Sequence, residues 1–184
     1  MEEKSDKLLI LDLDETLIHA TENKLDISED FLFDKYFVYK RPFLDKFLSD
    51  ISRHFTIGIW SSADDNYVTE IVKSIKPDNV ELEVIWGRSR CSVRRDYDLD
   101  NYYFEKRLHK LKNRGFRLEQ IIIVDDTPAK SKSNYGNAIY IREFSGEATD
   151  EELKHLHDYL LTLKTVVNVR EIEKRGWRSD KEAS

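Results

Sequence analysis

The sequence is poor in the residues that staple, break or hide a chain. Of its 184 residues one is a cysteine, Cys91, so no intrachain disulfide can form and nothing calls for an oxidising compartment. Three prolines and six glycines leave no Gly/Ser-rich linker, and no internal repeat or low-complexity tract divides the chain. No apolar stretch approaches the length of a membrane span or signal peptide. No membrane partner is therefore expected, and the expected location is intracellular, cytoplasmic or, in a eukaryote, nuclear. Basic residues number 30 against 36 acidic ones, and a net charge of −6 argues against general nucleic-acid binding while leaving room for a local basic patch. The five histidines show no metal-ligand spacing. Nothing sets the oligomeric state.

What the chain does have is two apolar runs that stop abruptly on carboxylates. Leu8, Leu9, Ile10 and Leu11 lead into Asp12-Leu13-Asp14; Ile121, Ile122, Ile123 and Val124 lead into Asp125-Asp126. Such runs suit buried strands, and burial alone would disfavour the anions at their ends, so something positive must compensate. Strands of a parallel sheet share their carboxyl ends, where ligands of open α/β sheets gather. Two neighbouring strands of this kind would bring up to four carboxylates to one point. Oxygen donors of this type suit Mg2+, which takes one or two carboxylates and completes its octahedron with water and substrate phosphate. The bland alternative is that each aspartate only caps the loop or helix that follows it.

The residues also resemble a family. Asp12-Leu13-Asp14-Glu15-Thr16-Leu17 is similar to the DxDxT signature of haloacid-dehalogenase-like phosphatases. Followed by Ile18-His19, it looks like the FCP/SCP, or NLI-interacting-factor-like, branch, which contains phosphatases acting on phosphoserine in proteins, notably the tail of RNA polymerase II. Further marks are Tyr39-Lys40-Arg41-Pro42, Trp60-Ser61-Ser62-Ala63 with Tyr67, and Val124-Asp125-Asp126-Thr127-Pro128. The resemblance runs from about residue 8 to 163. It implies a Rossmann-like α/β fold with a central parallel sheet flanked by helices, in one phosphatase domain over residues 1–170, followed by a polar tail at 171–184.

The resemblance also assigns roles. Asp12 is the candidate nucleophile, which forms an aspartyl phosphate, and Asp14 the general acid and later base, whose pKa should stand above that of Asp12. The backbone carbonyl of Asp14 and the carboxylate of Asp126 join Asp12 around Mg2+, with Asp125 in support, and Thr16 orients the acid. Ser61, with Ser62 beside it, would hold phosphate oxygens; its alternative role is a helix N-cap. Lys106, in a segment similar to Lys-x-Leu-x-x-Leu, is the expected phosphate-binding lysine, with Lys110 as fallback and a solvated helix face as the alternative for both. Uncatalysed phosphate-monoester hydrolysis requires acceleration of up to ~10²¹, roughly 28 kcal/mol, of which a general acid supplies only about 3–5. The remainder falls to nucleophile, metal and positive groups.

The rest of the pattern alternates strand and helix. Residues 31–40 read as an extended excursion or hairpin. A helix opens at Pro42 with Phe43, Phe47, Leu48 and Ile51 at helical spacing, then come a strand at 55–60, a helix from Asp64 or Asp65 to Ile75, and Pro77 beyond it. Residues 80–103 fit poorly and read as a small β/loop insertion; 103–112 read as helix ended by Gly115, then strands at 120–124 and 138–141 and a helix over 150–163. The basic turn with Arg88, Arg90, Arg94 and Arg95 either binds an anionic substrate, chiefly through Arg88 and Arg90, or pairs with Asp96, Asp98 and Asp100 in solvent. Cys91 and Trp86 are expected to be packed, and the tail frayed apart from Trp177. The leading expectation is a metal-dependent phosphatase for phosphorylated protein or peptide, ahead of one for a small metabolite or nucleic-acid terminus and of a non-catalytic partner-binding scaffold.

Overall fold

The computed structural model describes residues 4–96 and 100–178. Among these residues ten strands and three α-helices follow one another: β1 (Leu8–Leu11), β2 (Ile18–Thr21), β3 (Phe31–Phe33), β4 (Tyr36–Lys40), α1 (Leu44–Ile51), β5 (Thr56–Trp60), α2 (Asp65–Ile75), β6 (Leu82–Trp86), β7 (Ser92–Asp96), β8 (Asn101–Glu105), β9 (Ile121–Asp125), β10 (Ala138–Tyr140) and α3 (Glu152–Leu163). Short 3-10 segments join several of them, including Leu108–Arg114 and Pro128–Asn137. Among the described residues no helix is long and apolar enough to cross a membrane.

Five strands form a wholly parallel sheet in the order β10-β9-β1-β5-β6. Every residue of β1 and β9 is buried, as continuous apolar runs covered on both faces require. The two faces are covered differently. Leu9, Leu11, Ile57 and Ile59 share one core cluster with the apolar stripes of α1, α2 and α3. Leu8, Ile10, Trp60, Ile121 and Ile123 share another with Leu108 and Leu111 of a 3-10 segment. The register sets Leu11 opposite Val124, and the Asp12 amide donates to the Val124 carbonyl at 3.0 Å. Each acidic pair therefore leaves the sheet at the same level and on the same edge.

Two small antiparallel sheets stand outside it: β2-β4-β3, after the first acidic loop, and the β7-β8 hairpin. Among the described residues of 80–103, the β7-β8 pair lies apart, whereas Leu82–Trp86 pairs with β5 as the edge of the main sheet. The helix expected over 103–112 does not form. Tyr102, Tyr103 and Phe104 favour a pleated surface and pair with Arg95, Arg94 and Val93, leaving Leu108 and Leu111 to a 3-10 turn. That turn ends at Gly115, whose φ of 87° lies in the left-handed region that glycine enters without strain.

The start of the tail is also better anchored than its polarity suggests. Trp177 is buried and donates from its indole nitrogen to the Tyr140 carbonyl at 2.9 Å. The Lys174 ammonium is buried among the carbonyls of Gly136 (2.7 Å), Ile172 (2.8 Å) and Val169. Burial pulls its pKa down to about 8, against the opposing charge of Glu173. Residues 179–184 lie outside the described residues.

Candidate active site

At the carboxyl edge of the sheet, oxygens of Asp12, Asp125 and Asp126 come within 4.8 Å of one another. Asp12 follows β1, Asp125 ends β9, and both are buried, so their proximity is a direct product of the parallel register. The Lys106 ammonium, fully buried, sits 2.6 Å from Asp12 Oδ1 and 2.7 Å from Asp125 Oδ2. Lys110 does not come near these carboxylates; it donates to the Arg90 carbonyl at 2.7 Å. Lys106 arrives there because β8 ends one residue before it, its amide bonds the Lys130 carbonyl at 2.7 Å, and the Asn134 side-chain amide donates to its own carbonyl.

Asp14 faces elsewhere, so three carboxylates converge rather than four. Leu13 to Ile18 form a tight turn in which the amides of Thr16 and Leu17 return to the Leu13 carbonyl and Glu15 takes a left-handed φ of 56°. This turn presents the Asp14 carboxylate to Tyr67, whose hydroxyl donates to Oδ1 at 2.5 Å, and to Ser61, whose hydroxyl donates to Oδ2 at 3.2 Å. The Thr16 hydroxyl is buried and has no hydrogen-bond partner among the described residues, while its carbonyl accepts from Arg41 at 3.1 Å. Arg41, itself buried, ties this loop to Asp150 through bonds of 2.8 Å to both carboxylate oxygens.

The two aspartates of the first loop are driven apart electrostatically. Burial pushes the Asp12 carboxyl up, but Lys106 and Lys130 more than offset it and hold the group below the usual carboxylate range. Asp14 goes the other way: burial raises it, the bond from Tyr67 opposes, and the charge of Asp12 adds to the rise. Asp125, which shares Lys106 with Asp12, is pushed up by burial and by the Asp12 charge. Glu15 is raised to about 7 by burial and by the charges of Asp14 and Asp126.

Ser61 is buried at the end of β5, and the N-cap of α2 is Asp64, whose carboxylate accepts the Asn66 amide at 3.0 Å. Ser62 offers its carbonyl to the exposed Arg88 at 2.9 Å. Arg88 lies over the Phe104 ring and Arg90 over Trp86, while Arg94 pairs with Glu105 and Arg95 with Asp100. Asp98 lies outside the described residues. Cys91 is half-buried, and burial pushes its thiol up.

Two residues of the site carry little signal in the sequence. Tyr67 is marked there only by the family resemblance. Lys130 has no mark of its own, yet its ammonium lies 3.2 Å from Asp12 Oδ2 and 3.7 Å from Asp126 Oδ1. The available signal was its position four residues after Asp126, on the 3-10 segment that Pro128 opens.

The donor set fits a hard divalent cation. It consists of carboxylate oxygens, and Asp126 Oδ1 is buried without a hydrogen-bond donor. Asp126 Oδ2 is steadied by the Thr127 hydroxyl at 2.9 Å, and Asp125 Oδ1 by the Thr127 amide at 2.9 Å.

A parallel α/β sheet with an acidic carboxyl edge and a lysine between its aspartates is the arrangement expected of a haloacid-dehalogenase-like phosphatase. Residues 7–170 match the model of the NLI interacting factor-like phosphatase family, and the chain belongs to that family. It is 26% identical over 175 residues to nuclear envelope morphology protein 1 of Schizosaccharomyces pombe, covering 90% of this chain and 35% of that protein. It is 30% identical over 169 residues to CTD small phosphatase-like protein 2 of Dictyostelium discoideum, covering 88% and 28%. The chain thus spans about a third of the length of these relatives. Its fold is similar to that of the fission yeast RNA polymerase II CTD phosphatase Fcp1 bound to beryllium fluoride, with a TM-score of 0.55 and 18% identity over 96% of this chain and 54% of that one.

Proposed function

We propose that this chain is a Mg2+-dependent phosphomonoester hydrolase that works through an aspartyl phosphate on Asp12, with phosphoserine or phosphothreonine proteins as its substrates. The observation that carries this reading is the different setting of two aspartates on one loop: Asp12 lies between the Lys106 and Lys130 ammonium groups, and Asp14 faces the hydroxyls of Ser61 and Tyr67. One is suited to attack phosphorus, the other to hold a proton for the leaving oxygen.

Asp12 and Asp126, with the Asp14 carbonyl, would hold Mg2+ and Asp125 would support them; the bound ion supplies positive charge that lowers the repulsion between nucleophile and phosphate. Asp12 attacks phosphorus in line, and Asp14 delivers its proton to the seryl or threonyl oxygen as the ester bond breaks. Asp14, now ionised, takes a proton from the water that attacks the aspartyl phosphate, which frees Asp12 and releases inorganic phosphate. Lys106 neutralises charge on the phosphoryl oxygens, and the Ser61 hydroxyl donates to one of them.

Several features support a peptide substrate. Phe33 and Tyr36 pack edge-on against Tyr67, with ring centroids 5.5 and 6.3 Å away, and so form an aromatic wall beside the proposed acid. Arg88, which donates to the Ser62 carbonyl, and Arg90, over the Trp86 ring, are exposed and suit further anionic groups of such a partner. The name of the Dictyostelium relative refers to a CTD phosphatase, and the solved structure is of an RNA polymerase II CTD phosphatase. We assign its work to the cell interior, in cytoplasm or nucleus.

Hydrolysis of p-nitrophenyl phosphate tests the chemistry. Metal-dependent turnover that disappears in Asp12→Asn is the expected result. Equal activity in the variant would remove Asp12 as nucleophile, and no activity in either protein would favour a scaffold. Comparing phosphopeptides with small phosphorylated metabolites and 5′- or 3′-phosphorylated oligonucleotides tests the substrate class; a preference for either of the latter by an order of magnitude in kcat/KM would overturn it.

A further inference from the structure

Three carboxylates, Asp12, Asp125 and Asp126, meet two ammonium groups at the sheet edge, and the two lysines are not equivalent. Lys106 is fully buried and shared between Asp12 Oδ1 and Asp125 Oδ2. Lys130 takes the other oxygen of Asp12 and faces Asp126 Oδ1, so its ammonium stands between the two carboxylates proposed to bind the metal through their side chains. A divalent cation bridging Asp12 and Asp126 would share that space with a like charge.

We propose that Lys130 is a built-in counter-cation that shares the Asp12–Asp126 position with the divalent ion and, once displaced, becomes an additional positive contact for the phosphoryl group. This rests on the metal-dependent reading above. The backbone of Lys130 is fixed, since its carbonyl accepts the Lys106 amide at 2.7 Å and its own amide bonds Thr127. Its side chain is 22% exposed against 0% for Lys106, so the ammonium can leave towards solvent on its four-carbon stem without moving the main chain. With the metal absent, Lys130 balances carboxylates that would otherwise repel. With the metal present, the same charge weakens metal binding and strengthens binding of an anion. One residue therefore trades metal affinity for phosphate affinity, and its removal should move the two in opposite directions, which the loss of a merely structural contact would not do.

Calorimetric titration of Mg2+ into the wild-type chain, Lys130→Met and Lys130→Arg tests this, followed by titration of inorganic phosphate into each Mg2+-loaded protein. The Met variant is expected to bind Mg2+ about tenfold tighter and phosphate about tenfold more weakly, while Arg stays near wild type. Thermal unfolding provides a second readout: the Mg2+-induced rise in Tm should be larger in the Met variant than in wild type, including if the Met variant folds only when Mg2+ is present. Equal Mg2+ affinity in wild type and Lys130→Met, or Mg2+ and phosphate affinities that fall together, would overturn the role of Lys130 and leave the metal centre standing. Failure of all three proteins to bind Mg2+ would overturn both.

Discussion

Removing one hydroxyl, by Tyr67→Phe, should move the pH dependence of turnover without touching nucleophile or lysines. The Tyr67 hydroxyl donates to Asp14 Oδ1 at 2.5 Å, and that bond favours the ionised carboxylate while burial favours the protonated one. A hydrogen bond to a charged acceptor contributes about 1.5–3 kcal/mol, which at 1.36 kcal/mol per unit corresponds to roughly one to two pKa units. Asp14 keeps its bond from Ser61, so the rise should lie towards the lower end of that range. Asp14 must carry a proton when the leaving group departs, so the alkaline limb of the kcat profile should move to higher pH by the same amount. A phosphoserine peptide is the right substrate, because an alkoxide needs that proton far more than p-nitrophenolate does. The profile is compared between the two proteins across roughly pH 4 to 9. An unmoved limb, or one displaced to lower pH, would refute Asp14 as the acid tuned by Tyr67.

Other consequences follow from the same electrostatics. Lys106→Met leaves Asp12 and Asp125 short of a buried counter-charge and should cost about 3–5 kcal/mol of stability, with a smaller deficit in metal-free protein at acid pH, where the raised Asp125 takes up a proton; thermal melts at several pH values read this. Asp150→Ala removes both bonds to the buried Arg41 guanidinium and should lower Tm by roughly 6–12 °C, on the basis of about 3 kcal/mol. Burial raises Asp150, but Arg41 holds it below its ordinary value of 3.8. The stability this pair contributes is thus complete above that pH and lost as pH falls through the lower folded value, so the variant and wild type should converge in acid. Glu15, raised from 4.5 to about 7 in metal-free protein, is penalised increasingly as pH climbs between those values. Glu15→Gln should therefore raise the Tm of metal-free protein at pH above 7 and leave it nearly unchanged below 4.5, by differential scanning calorimetry.

The parts of the fold legible in the sequence were those whose pattern is local. β1 and β9 announce themselves as unbroken apolar runs because both faces of a parallel sheet are covered, and α1 and α2 by apolar residues at helical spacing. The Leu11–Val124 register then follows from parallel pairing and brings Asp12 next to Asp125. Less legible was what depends on distant partners. Asn101–Glu105 is a strand only because Ser92–Asp96 pairs with it, and Leu108 with Leu111 imitates the periodicity of a helix over a single 3-10 turn. Lys130 looks like any solvated lysine until β1 and β9 stand side by side. Tyr67 is a family mark without a role until the turn after Leu13 aims Asp14 at its hydroxyl. Lys174 and Trp177 belong to a segment whose composition suggests fraying, and what holds them is the carbonyl groups of Gly136 and Tyr140, which no side-chain pattern displays.

Covalent trapping on Asp12 tests the proposed mechanism most directly. Protein quenched in acid during turnover of a phosphoserine peptide with Mg2+, then reduced with borohydride, should carry homoserine in place of Asp12 in peptide mass spectra, and Asp12→Asn protein should show no such product. Homoserine at another aspartate, or turnover at full rate with Asp12 unmodified under quenching fast enough to catch an acyl phosphate, would contradict the account.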